Sequence, residues 1–114
     1  MERKMTINEA FRECSGEVIW QRVVAYVNEK KAFTSVTGIS YSATFVGSCI
    51  FIKGGTPGTK RAEEGEYLTG KDFIYAWEKI KGLELINTAK VKPFIKRQQT
   101  PFIGLLICSG VLSI

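Results

Sequence analysis

The last fourteen residues, PFIGLLICSGVLSI (Pro101–Ile114), carry no charge. Thr100-Pro101 reads as an N-cap and first helical position, where proline's missing N–H costs nothing, and Ser109-Gly110 reads as a stop. A helix over Pro101–Cys108 would be apolar almost all round, so no side of it can be left to water. It must be buried, either in the core or against another subunit. It is also shorter than the roughly 20 apolar residues a membrane-crossing helix needs. The rest of a 114-residue chain must therefore supply the cover for this segment, or share that task with a second copy.

The length suits one domain over residues 1–114, able to bury roughly two thirds of its unfolded surface without metal or disulfide staples. The cysteines, Cys14, Cys49 and Cys108, are three in number, far apart and flanked by apolar residues. No pair has metal-ligand spacing and the chain has no histidine, so neither a metal site nor a cofactor is expected, and the thiols read as reduced. The N-terminal MERKMTINEAF lacks the apolar stretch of a signal peptide. These points describe a cytoplasmic protein without a membrane segment.

Hydrophobic periodicity places the other elements. Thr6-Ile7-Asn8-Glu9 fits a capping box, and Ile7, Ala10, Phe11, Cys14 and Val18 recur at helical spacing. Gly16 can split that helix, with Ser15 capping a second part through Ile19, Val23, Tyr26 and Val27; the expected span is about 7–30. From Phe33 the period becomes two. SYSATFV and CIFIK read as strands joined at Gly47-Ser48, where glycine in the first central position suits a type II′ turn. A third strand over Lys60–Leu68 would complete a small antiparallel meander. Thr69 then caps a helix whose Phe73, Ala76, Trp77 and Ile80 form one apolar face, with Tyr75, Glu78, Lys79 and Lys81 elsewhere and Gly82 as a left-handed stop. The expected fold is α+β: an N-terminal helix or helix pair, the meander, then two further helices, the last one buried.

Catalytic patterns fail on inspection. GGTPGTK (Gly54–Lys60) resembles a phosphate-binding loop, but Thr59 separates Gly58 from Lys60 and Pro57 removes an N–H from the cradle. Gly65-EYLT-Gly70-Lys71 has the spacing, yet Asp72 replaces the hydroxyl residue and Glu66 places a carboxylate where a polyanion should sit. The glycine-rich stretch reads instead as an exposed hairpin loop. Without histidine there is no Ser-His-Asp or Cys-His nucleophile. Glu63, Glu64 and Glu66 are close enough in sequence for acid–base work, but clustered glutamates in a glycine-bounded loop read as a solvated surface. No enzyme is expected.

The net charge of +5 is uneven. Residues 1–31 and 32–83 each carry six basic and five acidic groups, whereas residues 84–114 set Lys90, Lys92, Lys96 and Arg97 against Glu84 alone. VKPFIKRQQT (Val91–Thr100) thus gathers basic residues just before a helix start, where unpaired N–H groups and the helix dipole favour anions. The candidate anion or nucleic-acid site is Lys90, Lys92, Lys96, Arg97, Gln98 and Thr100, with Phe94 available to stack on a base if exposed. The plainer alternative is a solvated turn with Val91, Phe94 and Ile95 packed inward. A second alternative is a small-molecule pocket at the sheet or a dimer interface, built from Trp20, Trp77, Tyr26, Tyr41, Tyr67 and Tyr75.

RQQTPFIGLLICSGVL, LTGKDFIYAW and the strand pattern before them resemble small bacterial α+β proteins of the kind carried on mobile gene cassettes. The likeness spans about Phe33–Leu112 and transfers no functional residue. It implies a non-enzymatic accessory protein, often oligomeric, so the expectation is a homodimer that binds an anionic partner such as nucleic acid through its basic C-terminal region.

Overall fold

The computed structural model describes residues 5–95 and 97–114. The first half of the chain forms β1 (Thr6–Ile7), α1 (Glu9–Arg12), α2 (Gly16–Lys30), β2 (Ala32–Thr34), β3 (Ser40–Val46) and β4 (Cys49–Gly54). Then come α3 (Lys60–Glu63), β5 (Glu66–Thr69), α4 (Gly70–Ile80), α5 (Thr88–Val91), a 3-10 turn (Lys92–Phe94), α6 (Gln99–Cys108) and β6 (Leu112–Ser113). The class is α+β. A four-stranded antiparallel meander, β2-β3-β4-β5, is accompanied by a two-stranded sheet in which β1 pairs with β6.

Strand alternation decides which face of the meander is covered. Tyr41 and Ala43 of β3, Ile50 and Ile52 of β4 and Leu68 of β5 are buried, while Ser42, Thr44, Lys53 and Tyr67 point the other way into solvent. The register places Ala43 opposite Ile52 and Ile50 opposite Leu68, so the apolar side chains form rows across the inner face. The turn between β3 and β4 has Gly47 at φ 64° and Ser48 outside the left-handed region, as a type II′ turn requires.

Three helices lie against this sheet. In α2, Ser15 Oγ accepts from the Val18 N–H at 3.3 Å, and Ile19, Val23 and Val27 form the buried stripe. In α4, Thr69 Oγ1 accepts from the Asp72 N–H at 3.0 Å, and Phe73, Ala76, Trp77 and Ile80 are wholly buried, as the spacing predicts. The one polar atom of Trp77 is satisfied by the Cys14 carbonyl at 2.9 Å. The third, α6, is enclosed by its own chain: Phe102, Ile103, Leu105 and Leu106 have no exposure, and the Phe102 ring packs on Phe73 at 5.0 Å. Burying each such side chain contributes about 1.5–3 kcal/mol. Among the described residues no helix is long and apolar enough to cross a membrane.

Several boundaries differ from the expectation. Thr6 does not cap a helix; it pairs with Ser113 in the sheet of the termini. Asn8 replaces it at the helix start, and its side chain bonds the Gly110 carbonyl and the Ser113 hydroxyl. A long-range strand pairing has displaced a local capping box. Lys60–Leu68 is not one strand, because Thr59 caps a single helical turn at Lys60–Glu63 and pairing begins only at Glu66. Ala32–Thr34 adds a fourth strand beside β3.

Among the described residues three α-helices follow the meander, not two. Asn87 Oδ1 accepts from the Lys90 N–H at 2.9 Å and caps the short α5. α4 ends at Lys81 in a right-handed conformation, and Gly82 is not left-handed. α6 begins one residue before Thr100, with Gln98 at the N-cap and Pro101 at its third position, still within the turn whose N–H groups lack partners. Its end matches expectation. Gly110 takes φ 85°, its N–H bonds the Ile107 carbonyl at 3.0 Å, and the Val111 N–H bonds the Leu106 carbonyl at 2.8 Å.

Candidate functional site

The segment between α4 and α6 is held by few anchors. Ile86, wholly buried, exchanges two backbone hydrogen bonds with Met5 at 2.9 and 2.8 Å. Val91 and Ile95 are buried as expected, and Phe94 is half-buried. Between and beyond these anchors Lys90, Lys92 and Arg97 are exposed. Lys90 Nζ reaches the Leu85 carbonyl at 3.3 Å, whereas among the described residues no carboxylate forms an ion pair with Lys90, Lys92 or Arg97. Lys96, also a predicted site residue, lies outside the described residues.

Arg97 adopts φ 62°, a left-handed conformation that costs a side chain about 1–2 kcal/mol relative to the right-handed helix. Its carbonyl accepts from Arg61 Nη2, and the same guanidinium pairs through Nε with Glu66. Neutralised in that way, Arg61 serves as a brace and leaves Arg97 as the outward cation. Gln98 is engaged within the chain: its Nε2 donates to the Tyr67 carbonyl at 2.9 Å and ties the segment to the edge strand β5. Thr100 is half-buried within the first turn of α6 and does not cap it. The buried Gln99 Oε1 in that turn has no partner among the described side chains, and as an acceptor it offers an anion nothing. The electropositive feature is therefore the exposed side chains of Lys90, Lys92 and Arg97, and not the mouth of the helix.

Aromatic rings also flank this segment. At its middle the Phe94 ring meets Tyr75 of α4 at 6.5 Å and 62°, and Lys79 Nζ lies over the Tyr75 ring, 5.4 Å from its centroid. At its end, the strand tied by Gln98 carries Tyr67, whose ring lies 5.0 Å from that of Phe51. Tyr75 is 53% exposed and Tyr67 57%, unusually high for large aromatic side chains. Tyr75 and Lys79, one turn apart on the polar side of α4, were legible as solvent-facing; the meeting of Tyr75 with Phe94 was not.

Gly54, Gly55, Gly58 and Gly65 all have positive φ, and residues 66–69 of the second near-match form the strand β5. Of the three glutamates, Glu66 is held by Arg61 and Glu63 Oε1 accepts from the Gly58 N–H at 3.3 Å.

The six aromatics of the pocket alternative are dispersed. Trp77 and Tyr41 are core, Tyr67 and Tyr75 are exposed, and Tyr26 has its phenol pKa raised, first by burial and then by neighbouring Cys108. Trp20 alone of the six lines an open groove of about 390 Å³, with Gln21, Val24, Ala25, Asn28 and Phe45. The cover that α6 requires is supplied by the chain's own sheet and helices. Comparison with known proteins returned no match: no family model, no curated protein and no solved structure matches the chain.

Proposed function

We propose that this is a non-enzymatic binding protein whose segment Lys90–Arg97 contacts the phosphates of a nucleic acid, in keeping with the bacterial accessory proteins it resembles. One observation carries the reading: in the stretch that holds most of the chain's charge excess, Lys90, Lys92 and Arg97 are exposed and form no ion pair among the described residues, while Glu66 is occupied by Arg61. Exposed cations with no ion-pair partner keep their full charge for an incoming phosphate, and each phosphate neutralised releases a condensed counterion. Lys92 and Arg97 carry the contact, Arg97 by its planar fork and Lys92 as a point charge.

The test is fluorescence anisotropy of labelled DNA and RNA, titrated at low and near-physiological salt with the wild type and with a Lys92→Ala/Arg97→Ala variant of unchanged fold. Binding that weakens with salt and falls in the variant supports the reading. Absence of binding at low salt sinks it. A second reading, a small-molecule site, is favoured by the groove at Trp20 and Phe45. Trp20 emission reports on it directly, and a compound that shifts both that emission and the melting temperature would favour it over the basic segment.

A further inference from the structure

We infer that the groove between α2 and β3 takes an extended peptide segment of another protein, paired to β3 as an added strand. β3 runs past the end of its neighbour. β2 pairs with it only from Ala32↔Ser42 to Thr34↔Ser40, and the last bond on that side runs from the Ala43 N–H to the Lys31 carbonyl at 3.0 Å. Lys31 itself, at φ 56°, turns its N–H back to the Val27 carbonyl at 2.8 Å, so the ladder stops there. Backbone groups alternate in direction along a strand. Phe45, two residues beyond Ala43, therefore points its N–H and carbonyl the same way, away from β4. Among the described residues no strand continues beyond Lys31 to meet them. This edge also lacks the charge or proline that commonly guards one, since Ser40–Val46 contains neither.

The groove of about 390 Å³ lies beside this open stretch. Gln21, Val24, Ala25 and Asn28 of its lining fall at i, i+3, i+4 and i+7 and form one stripe of α2. Trp20 flanks the stripe, its ring 6.3 Å from that of Phe45 and 5.1 Å from that of buried Phe73. The end of α2 meets Ala43 through Lys31, and Trp20 meets Phe45, so helix and strand run antiparallel with the groove between them. From Gln21 to Asn28 the stripe measures about 10 Å, the length of three extended residues. Directly opposed residues of an antiparallel pair share a face. A residue that exchanges both hydrogen bonds with Phe45 thus drops its side chain into the groove. No lining residue is charged, so that side chain is a large apolar one, and the amides of Gln21 and Asn28 are placed to bond polar groups of the peptide at either end. Because Lys31 occupies the line at one end, the entrant is a short free segment rather than the sheet edge of a second copy. The inference goes beyond the phosphate-contact reading and does not depend on it.

The experiment selects binders from a phage-displayed library of short random peptides, then titrates a synthesised hit while following amide hydrogen exchange by NMR. Hits should share one large apolar residue between uncharged neighbours, and a bound hit should slow exchange of the Phe45 N–H. N-methylation of the hit at its apolar residue removes the donor for the Phe45 carbonyl and should weaken binding about tenfold. Ala25→Trp fills the groove from an exposed helix position and should weaken it by about as much or more, while Lys92→Ala/Arg97→Ala should bind the peptide as the wild type does. A library that yields no peptide protecting Phe45, or an N-methylated hit that binds as tightly as its parent, overturns the inference. So does a Phe45 N–H already protected in the free protein, and protection that grows with protein concentration would assign the edge to a second copy. The phosphate-contact reading stands or falls separately, on the nucleic-acid titration.

Discussion

Helix α6 and the segment just before it are neighbours in the chain and opposites in how their side chains are held. From Pro101 to Leu106 every residue is buried, and Gly104 lets the helix approach β2 so closely that an added Cβ would lie 2.9 Å from the Thr34 carbonyl oxygen. From Asn87 to Gln98 the anchors are Asn87, Val91 and Ile95, with the Gln98 and Arg61 hydrogen bonds at the far end; the remaining described side chains are outside or only half covered. Packing leaves a core segment one arrangement, whereas a segment held at intervals presents charge in a set place without committing it. The first is where stability should respond to substitution and the second where binding should.

The largest expected effect lies in α6. Phe102→Ala should cost about 3–5 kcal/mol, because a wholly buried ring in contact with Phe73 leaves a cavity. Urea unfolding checks this, and a loss below about 1 kcal/mol would break the comparison from the core side. Gly104→Ala comes next, at about 1–3 kcal/mol, since backbone and not a flexible side chain meets the new methyl. A helix cap is smaller still: Thr69→Ala should cost about 1 kcal/mol through the lost bond to the Asp72 N–H.

Substitutions in the exposed segment should leave stability nearly untouched. Arg97→Gly is the sharpest of them. Relief of the left-handed arginine, about 1–2 kcal/mol, is largely offset by the added entropy of glycine in the unfolded chain, about 0.5–1 kcal/mol. The midpoint of unfolding should therefore hold or rise slightly while nucleic-acid affinity falls. A destabilised Arg97→Gly would mean that the arginine side chain has a structural task, contrary to its exposure.

A pH effect belongs to the α2–α4 contact. The Glu78 carboxyl is held below its ordinary value of 4.5, chiefly by hydrogen bonding to Lys81 and then by the Gly16 N–H. A depressed folded-state pKa stabilises the fold above the unfolded value, and that contribution is lost as the pH falls through the folded value. Acid unfolding of Glu78→Gln should accordingly be less steep below pH 4.5 than that of the wild type. Identical acid profiles would count against the contact.

What could be read in advance was what neighbouring residues determine. Thr69 with Phe73, Ala76, Trp77 and Ile80 fixes α4 within one stretch; Gly47 marks the β3–β4 turn; Ser15 caps α2; and the uncharged run after Thr100 demands burial. Three of the misses share a cause. Thr6 pairs with Ser113, Gln98 spends its amide on the Tyr67 carbonyl, and Phe94 meets Tyr75, each a contact between residues far apart in sequence. Of the predicted site, the exposure of Lys90, Lys92 and Arg97 followed from charge clustering between apolar anchors. The roles of Gln98 and Thr100 did not, because polar, uncharged side chains serve the fold or a ligand equally well until their neighbours are known.

The central claim is that the outward cations of the segment before α6 meet phosphates, and the dependence of affinity on salt tests it most directly. For a single strand the slope of log K against log salt is about −0.7 per phosphate neutralised. The Lys92→Ala/Arg97→Ala variant should therefore show a slope shallower than the wild type by roughly 1.4, with an unfolding midpoint that does not move. Parallel slopes for the two proteins would contradict it, and would place any binding elsewhere on the surface.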